Sequence, residues 1–403
     1  MMFKISCFGS EIRLAAKRHK PYDPRGFVVV AFLTFLMITN LPSLALTLLI
    51  GNNSDDITEE NQRGIHVLRL DEKGLSPGSQ VLPFLRPEFL CQHPKKMTFY
   101  TVNVIPDAEG KNQSAVGAFQ YDTVTGDFKL LNQQVVGGKG PCHVAIDGTG
   151  QVVVTANYGD GSVSAFPVLP DGSLGPQSDF ETHEGSGPNP NRQKAPHAHG
   201  VTFSPDNRFL LVPDLGTDEV RVYRVDLETS QLEKNIPPSV SLEPGAGPRH
   251  VSFSPDGRHA YVVNELDNTV AVFGWGQESG VLTPLGSVTT LPSGFEGENT
   301  TAEIAVHPNG QYIYASNRGH NSLAIFRRDQ ALGQLTAAGH VELKGPEPRS
   351  FAISPDGEWL VVGNQRLNTV SAFRIREEGA SLEKIGESVT VPSPVCIHFV
   401  SSL

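Results

Sequence analysis

Histidine, arginine and acidic side chains return along this chain about once per fifty residues, each beside a short run of β-forming residues. Glu88, His143, His199, Arg249 with His250, Glu303 and Arg349 stand just before such runs. Asn103, Asn157 with Tyr158, Asp214, Asn264 with Glu265, Asn317 with Arg318, and Asn364 with Gln365 stand just after others. Imidazoles and carboxylates can take up and return protons, and guanidiniums can hold a carboxylate, a phosphate or a developing oxyanion. A set of this kind suits acid–base chemistry on an anionic substrate if the fold brings its members together.

The elements that must position them form a repeat. Residues 247–273, GPRHVSFSPDGRHAYVVNELDNTVAVF, read as three strands: an alternating run, an SPDG turn, a β-branched run, a polar turn and a second alternating run. Copies align on Cys91, Ile146, Phe203, Phe253, Val306, Ile353 and Phe399, which are 46 to 57 residues apart and so near the length of a four-stranded propeller blade. A further turn after each third strand leads to a residue such as Leu174, Leu232, Leu282, Leu335 or Leu382, the expected start of an outer fourth strand. The last copy, from Pro394, supplies only a first strand, whereas LTLLIG at 46–51 and GIHVLRLD at 64–71 supply a second and third with no first. The two ends therefore complete one blade, and the expectation is an all-β, seven-bladed propeller over 46–403, closed by pairing its N- and C-terminal strands.

In such a meander, residues before each first strand and after each second strand crowd round one mouth of the central channel. The SPDG-type turns at 204, 254 and 354 and the HPNG turn at 307 go to the other mouth, where near-identity from blade to blade suits architecture. At the first mouth the letters change while staying polar, as a site shared between blades requires. Segment 182–200, with His183, His197 and His199, is too rich in Gly, Pro and Asn to be a strand and reads as a functional loop. Segments 105–114 and 293–304 read as extended polar insertions. A structural role competes at several positions: the asparagines can bond their own turns, and His143 and His250 can be satisfied channel histidines.

The net charge is −11, and without residues 1–45 it is −15, which excludes nucleic acid as an expected partner. Cys91, Cys142 and Cys396 fall at or beside first strands and read as buried structural thiols; no disulfide framework or CxxC pair is present. Residues 1–45 combine a basic stretch, the apolar run Phe27 to Ile38 and small residues at 43–45, which reads as a secretory signal. A membrane anchor and an extension foreign to a cytosolic enzyme are the alternatives. Sequons at Asn52, Asn112 and Asn299 would be glycan acceptors in a secreted chain.

The stretches GPCHVAI, ANYGDGSVSAF, APHAHGVTFSPDNRFLLVPDLGTDEVRVY, GPRHVSFSPDGRHAYVVNELDNTVAVF and SNRGHNSLAIF resemble the seven-bladed lactonase family over about residues 46–400. That family includes the propeller type of 6-phosphogluconolactonase and the fungal 3-carboxy-cis,cis-muconate lactonizing enzyme. The resemblance implies a metal-independent, cofactor-free site at the mouth, mapping by motif to His143, His199, Asp214, Arg249, Glu265 and Arg318. Lactone hydrolysis would use His143 or His199 as base, Arg249 and Arg318 for the oxyanion and an anionic substituent, and Glu265 to orient them. His197, Asp214, His250, Glu303, Arg349 and Asn157 are the expected substrate contacts. The partner would be a small anionic lactone or, for a lactonizing cycloisomerase, a dicarboxylate closed onto a double bond with a proton from a histidine or Glu265. A non-catalytic binding scaffold is the third expectation, because a propeller alone implies no activity.

Overall fold

Tight turns convert the repeated runs into hairpins. In the SPDG turn, Ser254 Oγ donates to Asp256 Oδ1 and accepts from the His259 backbone N–H, and Ser204 with Asp206 and Ser354 with Asp356 repeat this. Each such turn joins an innermost strand to the next strand out.

The computed structural model describes residues 45–401 apart from 54, 56, 58, 60 and 61, so the readings made on the leader lie outside the described residues. Among the described residues, 28 strands form seven antiparallel four-stranded sheets. The innermost strands, in blade order, are Leu90–Gln92, Pro141–Ile146, Thr202–Phe203, Pro248–Phe253, Thr300–Val306, Pro348–Ile353 and Pro394–Phe399. In the seventh blade Pro394–Phe399 pairs with Leu46–Asn52, which continues into Ile65–Asp71 and Gly74–Leu82. Leu48 faces Phe399 and Ile50 faces Ile397 across this join.

The core lies between blades. Second strands such as Val152–Asn157, Phe209–Asp214 and Trp359–Asn364 are buried at every position, because a neighbouring blade covers each face. Phe209, Leu211 and Val220 of blade three pack with Val262, Phe273 and Trp275 of blade four. Tyr100, Tyr261 and Tyr314 each donate a phenolic hydrogen bond to a glycine carbonyl in the following blade, at Gly172, Gly333 and Gly379. Apolar area and polar contacts of this kind thus join neighbouring blades.

Three local expectations change. Segment 105–114 is largely a longer hairpin: Thr98–Pro106 pairs with Asn112–Tyr121 as far as Pro106 opposite Asn112, which leaves Asn103 inside a strand. Residues 300–304 likewise belong to the innermost strand of blade five. Leu174 does not open a fourth strand; it is buried and bridges Val168, and the outer strand of blade two begins at Asp179.

The sequons separate by burial. Asn52 is fully buried with Nδ2 donating to the Gln62 carbonyl, and Asn299 Nδ2 donates to Asn268 Oδ1 and Asn317 Oδ1. Asn112 is exposed. The expectation of three acceptors is corrected, since a glycan on Asn52 or Asn299 would displace these bonds. A folded product of a glycosylating secretory host carries sugar at Asn112 only, so Asn112→Gln removes the entire glycosidase-sensitive mass increment. Ring closure gives a second expected outcome: Ile397→Ala, which empties part of the core shared by Leu48, Ile50, Trp359 and Val361, lowers the unfolding free energy in urea by about 3 kcal/mol.

Candidate active site

A recurring backbone irregularity aims the mouth residues. Register shifts by one residue at the top of the innermost strand, between Pro141 and His143, Pro248 and His250, Thr301 and Ile304, Pro348 and Ser350, and at Pro394 and Cys396. Such bulges leave a residue outside the ladder and turn its side chain. Proline suits the first position of these strands, where no ladder donor is needed. The bulged positions include Cys142, Arg249, Glu303, Arg349 and Val395, and these five line one narrow cleft with Glu88, Phe89, His199 and His250.

Blade three builds its share differently. Its innermost strand is only Thr202–Phe203, and loop 183–200 occupies the rest of that position. The loop is pinned from beneath: His183 Nδ1 lies 2.5 Å from Asp214 Oδ2, both side chains being fully buried. Asp214 Oδ1 accepts from the backbone N–H groups of His197 and Gly216, and buried Gln193 donates to Asp218. These contacts hold His199 at the cleft and Arg192 above it.

Glu265, which follows the second strand of blade four, gathers the cations. Its Oε2 lies 3.1 Å from Arg249 Nε and 3.0 Å from Arg318 Nη2, and its Oε1 accepts from Arg192 Nη2 at 2.6 Å. His199 Nε2 is 3.9 Å away. Burial alone pushes the carboxyl up, but Arg318, Arg249 and Arg192 outweigh it and hold Glu265 at about 2. Arg249 also donates through Nη1 to the Ala302 carbonyl, and Arg318 through Nη2 to that of Thr301.

Beside this network lies a histidine group. His250 Nδ1 is 2.8 Å from Glu303 Oε1, and its ring is 4.9 Å from that of His143 and 5.4 Å from that of His199. His143 stacks on Phe89 at 3.8 Å. Burial first, and then the charge of Arg249, lowers the His199 and His250 values well below 6.5; burial and His250 do the same for His143. All three are neutral at pH 7. Burial raises Glu303, and burial pushes the Cys142 thiol up to about 12, which leaves it unreactive.

Residues 47–399 match the family model described as lactonase, 7-bladed beta-propeller. The chain belongs to the seven-bladed β-propeller lactonase family. Among its relatives, the 6-phosphogluconolactonase of Bacillus subtilis (strain 168) is 33% identical over 345 residues, 85% of this chain and 96% of its own. The 6-phosphogluconolactonase of Formosa agariphila is 33% identical over 333 residues, 81% and 93% of the two chains. The solved periplasmic gluconolactonase of Pseudomonas aeruginosa aligns with a TM-score of 0.82 at 33% identity, covering 89% of this chain and 99% of that one.

In this propeller lactonase, His199, Arg249, His250, Glu303 and Arg349 line the cleft, while Glu265 and Arg318 support it from one side and His143 from below Phe89. Three residues expected at the substrate are committed elsewhere. Asp214 clamps the loop, and Asn157 is fully buried with its amide on Thr155, Ser162 and Ser164. His197 stacks on Tyr158 at 4.5 Å and donates from Nδ1 to the Tyr158 carbonyl. Hydrogen bonds already made inside the fold are the physical reason that these side chains do not reach the cleft lining. Arg192, Phe89 and the Cys142 and Val395 positions were not singled out by motif. Their signals were an arginine within the His-rich loop and the residue after a strand-opening proline. Among the described residues, no three His, Cys, Asp or Glu side chains have an arrangement that could hold a metal ion.

Glu265→Gln removes the one anion shared by three guanidiniums, and should lower stability by about 3 kcal/mol at pH 7. Because the folded carboxyl lies below its ordinary 4.5, this difference is full above pH 4.5 and disappears as pH falls through about 2. Denaturant melts of both proteins across that range measure it.

Proposed function

We propose that the mouth hydrolyses a small lactone bearing an anionic group. The observation that carries this is His250, neutral and braced on Glu303, in one cleft with the buried Arg249. Glu303 accepts from Nδ1–H, which fixes the tautomer and leaves Nε2, 3.2 Å from Arg249 Nη1, as the proton acceptor once the attacking water displaces that contact. A water molecule attacks the lactone carbonyl carbon while giving its proton to His250 Nε2. The carbonyl oxygen becomes an oxyanion, for which Arg249 Nη2, without a hydrogen bond among the described residues, is the placed donor. The ring C–O bond then breaks, and the imidazolium returns its proton to the departing alkoxide. Overall, lactone and water give the hydroxy acid.

Glu265 acts through the arginines. At about 2 its carboxyl is ionised at neutral pH, so it holds Arg249 and Arg318 in place without exchanging protons. That state opposes the ring-closing reaction insofar as the latter takes its proton from Glu265. The names of the relatives support 6-phosphogluconolactone and gluconolactone as the substrates to try. The leader read from the sequence and the periplasmic name of one relative support export as the setting.

His250→Gln should reduce kcat/KM for lactone hydrolysis by about 10²-fold or more, and Arg249→Ala by a similar factor. Since the base works neutral and its value lies well below 6.5, the wild-type rate falls on the acid side only under pH 6.5 and is flat above. Near wild-type rates in both variants, with circular dichroism unchanged, would falsify this site.

A further inference from the structure

The repeat presents the same arginine twice, once with a counter-ion and once without. Arg249 and Arg349 each follow a proline that opens an innermost strand, and each sits in the bulge at its top. In both blades that proline lies opposite the asparagine ending the second strand, Pro248 against Asn264 and Pro348 against Asn364. The residue after the asparagine then differs. In blade four it is Glu265, which takes Arg249; in blade six it is Gln365, which carries no charge.

The four arginines of the mouth divide accordingly. Arg192, Arg249 and Arg318 share Glu265. Arg349 makes no ion pair or hydrogen bond with any described residue, although it is half-buried and lines the cleft. Glu88, the other acid of that lining, is paired with Arg86, and Glu303 with His250. Its field reaches across the cleft, since Arg349 contributes to lowering Arg249, His199 and His250. A half-buried cation with no anion beside it in the fold gains a partner when an anionic group enters the cleft.

We propose that Arg349 binds a second anionic group of the substrate, distal to the carbonyl that reacts at His250 and Arg249, and so selects phosphorylated or carboxylated lactones over neutral ones. This rests on the lactonase reading for the chemistry of the substrate, but anion recognition by Arg349 can be measured without turnover. The ring order supports the assignment. Arg349 stands between Glu303 and Val395, at the start of the arc of Val395, Glu88, Phe89 and Cys142, which holds no other cation of the cleft lining. A substituent held there lies to one side of the arginine cluster around Glu265.

The repeat also supplies the test. Gln365→Glu places in blade six the carboxylate that blade four already has; Gln365 donates to Ser393 Oγ, so the new carboxylate pairs Arg349 by turning away from Ser393. Arg349→Gln removes the charge itself. Full-length wild type and both variants are titrated calorimetrically with 6-phosphogluconate and with gluconate, and assayed with the two corresponding lactones. Wild type should bind the phosphorylated acid at least about tenfold more tightly, and each variant should lose most of that preference. The kcat/KM ratio of phosphorylated to neutral lactone should fall in parallel, with circular dichroism confirming the fold.

A preference that survives Arg349→Gln, or equal affinities in wild type, overturns the proposal while leaving hydrolysis intact. An Arg349-dependent preference in a protein that opens neither lactone supports the proposal and sinks the lactonase reading.

Discussion

A single buried carboxylate sets the arrangement of the mouth. Glu265 sits where water cannot neutralise it, and its charge is tolerable only because three guanidiniums reach it from three places in the chain. Arg249 comes from its own blade, Arg318 from the next, and Arg192 from the loop that spans blades two and three. Arg249 and Arg318 are in turn desolvated, Arg192 only partly, and all three share the same carboxylate. The network therefore ties two blades and a loop into one arrangement, and the neutral histidines beside it owe part of their low proton affinity to the resulting positive field.

That local positive field stands in a chain of net charge −11. The contrast concentrates positive charge at the mouth, while the remaining surface is acidic on balance. It also assigns unlike tasks to like side chains. Glu265 stays ionised among arginines and organises them, whereas Glu303, raised by burial, faces the imidazole of His250. Environment, not residue type, separates the two roles.

Scaffold and chemistry meet at the bulges. A regular propeller strand would keep the residue after each opening proline within the ladder; the extra residue turns it toward the axis. One backbone device, repeated round the ring, thus presents a cysteine, two arginines, a glutamate and a valine to the same cleft. Such a residue stands outside its own strand ladder, and this is how a repetitive fold carries a site without repetition.

The seven-bladed ring and its closure were legible in the sequence, because turn chemistry and alternation are local properties and the lone last strand matched the incomplete first blade. Several mouth residues were legible too, since a meander dictates which strand ends share a face. Other features depended on contacts that no spacing reveals. Asp214 looked like a channel residue but is consumed by His183, and Asn157 by two serines and a threonine, because hydrogen-bond partners across a loop or a hairpin are chosen in three dimensions. Arg192 looked like any loop arginine until the fold brought it to Glu265. The sequence by itself determined the blades, the closing strand pair and the polarity of one mouth, through periodicity and turn residues. Only the tertiary structure decided which charges neutralise one another and which arginine is left without an anion, because pairing energies depend on distance and burial rather than on order along the chain.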